Sequence, residues 1–159
     1  MKLGSLIKSV LTFNVSRKEI KKGFQIIDPK IFVPWDIDEK RLIDLFKDYS
    51  LKQITSGYYT AECTSLKELK CTIGFHFKPR TNGDLTMLEF FRTNYDDQLK
   101  SFNEFQYNFE QVFGKPTKIS NGYEGFKNYE WILSSIKISH YVIYRFGTEE
   151  KMTIKKMKK

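Results

Sequence analysis

The sequence predicts an α+β domain: an antiparallel sheet of five or six strands with two or three helices, the 97–113 helix packed on one face. Three observations lead there. Residues 69–78, LKCTIGFHFK, alternate apolar and polar side chains, the period of a strand with one buried face. Leu99, Phe102, Phe105, Phe109 and Phe113 form one apolar stripe at helical spacing. Runs of hairpin-like strands with helices set between them argue against a doubly wound parallel sheet. The 159 residues, 14 of them Phe, suit a single domain, 1–159, with a Phe-rich core.

From the N-terminus, Leu3, Leu6, Ile7, Val10 and Leu11 recur at helical spacing. A short amphipathic helix packed on the domain is expected there. Lys8 interrupts its apolar run, no small-residue cleavage site follows, and nothing approaches the ~18 apolar residues of a membrane span. The cytoplasm is the expected compartment. Next, Pro34 biases Val33 toward extended geometry before a helix over 36–49. Asp36 and Glu39 resemble a capping box, and Leu42, Ile43, Leu45, Phe46 and Tyr49 supply a stripe to bury. Trp35, just before the cap, either staples the helix entry or stands out toward a partner.

SGYYTAEC reads as a strand, followed by the strand of residues 69–78. Asn82-Gly83 is a strong two-residue hairpin signal, and LTMLEFFR returns. If those two residues form the loop, Phe77 pairs with Leu88 and Phe75 with Phe90 on the core face. His76 then pairs with Glu89, and Gly74 with Phe91, on the other face. In the 97–113 helix Asn94 or Asp96 can cap the start, and Gly114 and Pro116 stop the end. The loop SNGYEGF lacks a phosphate-loop pattern. NYEWILS, IKISHYVIYRF and EEKMTIKK read as three strands, with turns at Ser134-Ser135 and Gly147-Thr148.

Few residues point to chemistry. No nucleophile elbow, Walker loop, dinucleotide fingerprint or metalloprotease helix occurs. Cys63 and Cys71 are expected to be small buried thiols, and with His76 and His140 they lack zinc-ligand spacing. No metal or cofactor is expected. His140 lies in an apolar row and reads as a hydrogen-bonded core residue. Asp96-Asp97 are explained by capping. His76 and Glu89, with Lys78 and Arg80, could act as a base oriented by a carboxylate, but a cross-strand polar pair is the simpler account. His76, Lys78, Met87, Glu89 and Phe91 together could also form a contact surface, unless a further helix covers them.

The net charge is +8, with +5 in residues 1–22, +5 in residues 151–159 and −2 between. The basic charge therefore sits in two ends expected to be solvated. Such ends can add salt-sensitive affinity for nucleic acid or another anionic surface.

In its Lys-, Asn-, Phe- and Ile-rich composition, and in the run LEFFRTNYDDQLKSFNEFQYNFEQVFGKPT, the chain resembles small single-domain proteins of low-GC bacteria. Strand, amphipathic helix, FGKP and then paired strands is an order similar to that of immunity proteins of bacterial toxin systems. The resemblance implies a protein partner and carries over no functional residue. The acidic surface common among immunity proteins that block nucleases is missing here. The expected function is thus a non-enzymatic protein-binding module, with Trp35, His76, Lys78, Arg80, Glu89, Phe91 and Arg92 as the interaction or pocket face. The alternatives are a small-ligand binder or enzyme with a cleft near His76, Glu89 and Arg92, and a polyanion binder acting through the basic ends.

Overall fold

A computed structural model describes residues 19–78, 83–92 and 97–158. The expected N-terminal helix, Arg80, Asn82 of the hairpin signal, and the caps Asn94 and Asp96 lie outside the described residues.

The chain opens with a two-stranded ribbon, β1 (Gly23–Ile26) and β2 (Ile31–Pro34), followed by helix α1 (Glu39–Leu45). Four strands follow in a meander: β3 (Lys52–Thr55), β4 (Tyr58–Ser65), β5 (Leu69–Phe77) and β6 (Leu85–Phe91). Helix α2 (Gln98–Phe113) leads to a second meander: β7 (Lys118–Asn121), β8 (Lys127–Leu133), β9 (Ile136–Tyr144) and β10 (Thr148–Lys156). Pairing of β6 with β10 joins the meanders into one eight-stranded antiparallel sheet, β3-β4-β5-β6-β10-β9-β8-β7. A helix followed by four strands thus occurs twice, and the two halves meet at their last strands.

The α+β class stands, with an eight-stranded sheet and a separate ribbon in place of five or six strands. β3 and β7, at the sheet edges, are exposed at every position, so they show no alternation of burial. The basic residues 151–156 are no free tail. They belong to β10, in the middle of the sheet, with Met152 and Ile154 buried.

One face of the sheet carries the core. Ile73, Phe75, Leu88, Phe90, Trp131, Ile138 and Ile154 are buried on it. α2 lies over β6 and β8–β10, where Phe109 meets Phe90, Trp131 and the His140 ring within 5.9 Å between centroids. The ribbon packs through Phe24 against Phe90, and Phe46 after α1 packs against Phe75. Burying so many large rings supplies about 1.5–3 kcal/mol each and is the main stabilising term. α2 starts at Asp97, whose carboxylate accepts from the Lys100 N–H at 3.1 Å, and ends at Gly114, whose φ of 78° favours glycine. Phe102, Phe105, Phe109 and Phe113 are buried as the stripe requires, whereas Leu99 is 57% exposed.

α1 is shorter than its 36–49 reading. Asp38, not Asp36, caps it, accepting from the Arg41 N–H at 2.8 Å. Of the expected stripe only Leu42 and Phe46 are buried, while Ile43 (49%), Leu45 (40%) and Tyr49 (52%) remain exposed. Five apolar side chains in eight positions span too wide an arc for one short helix to bury.

The hairpin register also differs. Phe75 pairs with Leu88, Gly74 with Glu89, His76 with Met87 and Thr72 with Phe91, with an irregularity after His76 that brings Phe77 opposite Leu85. The shift from the expected pairing is two residues, which keeps every side chain on its expected face.

Candidate functional site on the uncovered face of the sheet

α1, α2 and the ribbon all pack on the core face. Among the described residues no helix covers the opposite face, and the side chains there are partly exposed. Cross-strand pairing arranges them in rows. Tyr58, His76, Met87, Lys155, Lys137 and Ile132 form one row across β4, β5, β6, β10, β9 and β8. Thr60, Gly74, Glu89, Thr153, Ser139 and Glu130 form the next.

His76 and Glu89 meet although they are diagonal rather than directly opposite, with Nε2 and Oε2 2.9 Å apart. The Tyr58 ring stacks on the imidazole, 4.3 Å between centroids. Thr86 donates its hydroxyl to the His76 carbonyl. On its other side Glu89 faces Lys151 Nζ at 3.8 Å, and Lys151 also pairs with Glu149 at 3.0 Å. Burial, then the Glu89 charge, pushes the Tyr58 phenol above its usual range, so it stays a neutral donor. Gly74 makes the close packing possible. A Cβ there would fall 2.8 Å from the Tyr58 ring and 3.2 Å from that of Phe91. The expected arrangement of Phe91 across Gly74 is therefore present in altered form, shared with Tyr58. Lys137 and Glu130 close a further pair at 2.8 Å.

The expected site residues divide. His76, Glu89 and Phe91 share this face. Lys78 is exposed beside Lys158, whose hydrogen bond and charge hold the Lys78 ammonium below its usual range. Arg92 turns to the other side, where it pairs with Glu104 of α2 and lies over the Phe105 ring. Trp35 is no contact residue. It is 2% exposed, and its indole N–H donates to the Ile20 carbonyl at 2.6 Å, because a large ring with one donor packs best where a backbone acceptor waits. Arg92 lines an open groove of about 460 Å³ with Lys67, Lys70, Glu104 and Tyr107, a groove that His76 and Glu89 do not line. The three residues expected around one cleft are thus not brought together.

Tyr58, Tyr141 and Lys151 belong to the face but escaped the sequence reading. Alternation along β4, β9 and β10 was the available signal, and it needed the strand order to become a surface. His140 is the hydrogen-bonded core residue expected, and the sequence did not show the polar partners that gather around it under α2. The His140 ring sits between Gln106 Oε1 and Glu150 Oε1, each at 2.8 Å. The second Glu150 oxygen accepts from Gln98 Nε2 at 2.9 Å and Ser101 Oγ at 2.8 Å. Phe102 stacks on the imidazole at 4.3 Å. Burial holds the affinity of His140 for a second proton below its ordinary value, against the opposing hydrogen bond and charge of Glu150. Both ring nitrogens face acceptor oxygens, so a neutral ring donates from one of them only. His140, Ser101, Gln106 and the Glu150 carboxylate are buried, and the cluster holds α2 to β9 and β10.

Among the described residues no group of three or more His, Cys, Asp or Glu could hold a metal ion, and no helix is long and apolar enough to cross a membrane. No family model and no curated protein matches the chain. The fold is similar to that in the crystal structure of a DUF4309 family protein (YjgB) from Bacillus subtilis, with a TM-score of 0.50. Sequence identity is 9%, and the likeness covers 91% of this chain and 92% of that one, so it is a likeness of fold.

Proposed function

We propose that the chain is a non-enzymatic protein-binding module, with the cytoplasm as its setting, whose uncovered sheet face is the contact surface. The row Tyr58, His76, Met87, Lys155, Lys137, Ile132 carries this reading. It combines aromatic, Met, aliphatic and basic groups on a rigid backbone, the mixture that protein interfaces favour. A dyad of His76 and Glu89 has no nucleophile beside it among the contacts described, so pairing across strands accounts for it better than turnover does. In line with the resemblance to immunity proteins, the partner would be a toxin.

The test is capture of a stoichiometric partner by the tagged chain, compared with Met87→Asp and Ile132→Asp variants and a Leu99→Ser control on α2. Loss of the partner with the two row variants and retention with the control is the expected result. Retention by both row variants would place the contact elsewhere. A second reading, binding of a polyanion, draws on Lys78, Lys155 and Lys158. Retention of nucleic acid by the wild type, weakened by Lys155→Gln and Lys158→Gln and lost at high salt, would favour it.

A further inference from the structure

Cys63 and Cys71 occupy directly opposed positions on β4 and β5 and point to the same face. Which kind of opposed pair they form follows from their neighbours. Thr64 directs both its N–H and its C=O to Asp28, away from β5. Backbone groups alternate sides along a strand, so Cys63 directs its own toward β5. The N–H of Phe77 donating to the Gly57 carbonyl fixes the same alternation further along the pair. Opposed residues of this hydrogen-bonded kind have Cα atoms about 5.5 Å apart, inside the range that a disulfide spans.

Both thiols are buried at the rim of the core, yet both line an open groove of about 530 Å³ with Asp28, Pro29, Glu62, Thr64 and Lys70. Ser65 Oγ lies 3.4 Å from Cys71 Sγ. The chain has no other cysteine.

We propose that Cys63 and Cys71 form a reversible thiol–disulfide site that reacts with small disulfides of the glutathione class. The Cys71 thiolate attacks one sulfur of the small disulfide, and a mixed disulfide forms as the first small thiol leaves. The Cys63 thiolate then attacks Cys71 Sγ, the protein disulfide forms, and the second small thiol leaves. Two S–H bonds of the protein are lost, one S–S bond is gained, and the small disulfide is reduced to two thiols. The order follows the environment. Cys71 is held below its usual range by the Cys63 and Ser65 side chains and the Arg92 charge, against burial, whereas Cys63 is raised by Cys71 and by burial.

The full chain is incubated with glutathione disulfide without denaturant, then alkylated, weighed intact and mapped by peptide mass. The wild type should lose both free thiols and two hydrogen masses, with Cys63 linked to Cys71. Cys63→Ser should instead accumulate glutathione on Cys71, and Cys71→Ser should react far more slowly. Thiols that react only in urea would overturn the proposal. So would a folded wild type that yields only mixed disulfides or intermolecular dimers. Circular dichroism of each variant separates a failure to fold from a failure to react.

Discussion

Replacing Glu150 tests the account of the buried cluster. Its carboxylate accepts from His140, Gln98 and Ser101 at 2.8–2.9 Å, and its side chain is 2% exposed. Glu150→Leu removes both acceptor oxygens and with them three hydrogen bonds. Gln98 is half-buried and can turn to water, but His140 and Ser101 are buried and cannot. Each buried group left unpaired costs about 1–3 kcal/mol. Two such groups, offset in part by the new apolar burial, give a loss of about 3 kcal/mol, a large share of a typical domain's stability. Glu150→Gln should cost far less. Its carbonyl still accepts from Ser101 and Gln98, its amide donates to His140 Nε2, and the ring donates Nδ1–H to Gln106 as that residue now stands. Urea unfolding followed by circular dichroism gives both values from the shift in midpoint at constant slope. Equal losses for the two variants, or a Leu variant within about 1 kcal/mol of wild type, would refute the hydrogen-bond account.

Other outcomes follow from the same geometry. Because the second proton of His140 binds more weakly in the folded chain than in the unfolded one, its contribution to stability is present above the ordinary histidine pKa of about 6.5 and declines as the pH falls through that value. Subtracting the stability–pH curve of His140→Gln should isolate this loss, and parallel curves from pH 7.5 to 5 would show that His140 contributes none. Gly74→Ala should push the Tyr58 ring off His76 at a cost of about 1 kcal/mol, visible as a shifted His76 ring resonance, and an unchanged resonance would contradict the packing. Truncation after Glu150 should abolish the folded state rather than merely trim charge, because it removes most of the strand between β6 and β9. A cooperative thermal transition in that variant would mean that β10 is dispensable.

Legibility in the sequence tracked how strongly each segment is partitioned between core and solvent. β5 and α2 have one buried and one exposed side, so Phe75 and Phe77, or Phe102 to Phe113, announce their period. β3 and β7 pair on one edge only and bury nothing, so no period exists to read. The hairpin register failed for a local reason. A two-residue loop at Asn82-Gly83 requires a ladder that runs up to it, but the ladder ends at Phe77 opposite Leu85, leaving a longer connection. The error was an even number of residues, so the facing of His76, Met87, Glu89 and Phe91 survived it. Residues 149–156 carry two signals at once. Lys155 and Lys156 are exposed as a charge run predicts, while Met152 and Ile154 point into the core as the strand EEKMTIKK predicts, and that strand lies in the middle of the sheet.

That strand also decides where a contact surface can lie. Each half of the chain supplies a helix and four strands, and each helix covers only one face of its meander. Joining β6 to β10 therefore builds two continuous faces, one covered by both halves and one that no helix among the described residues covers. The open row begins with Tyr58 and His76 in the first half and ends with Lys137 and Ile132 in the second. The resemblance to immunity proteins rests on the segments from β5 onward, which hold every member of this row but Tyr58. A partner that reads the row across the seam must therefore depend on both halves at once. Substitutions at Tyr58 and at Ile132, on strands β4 and β8 that never touch, should weaken the same complex. Independence of the two would confine the contact to one half and return the argument to the C-terminal strands.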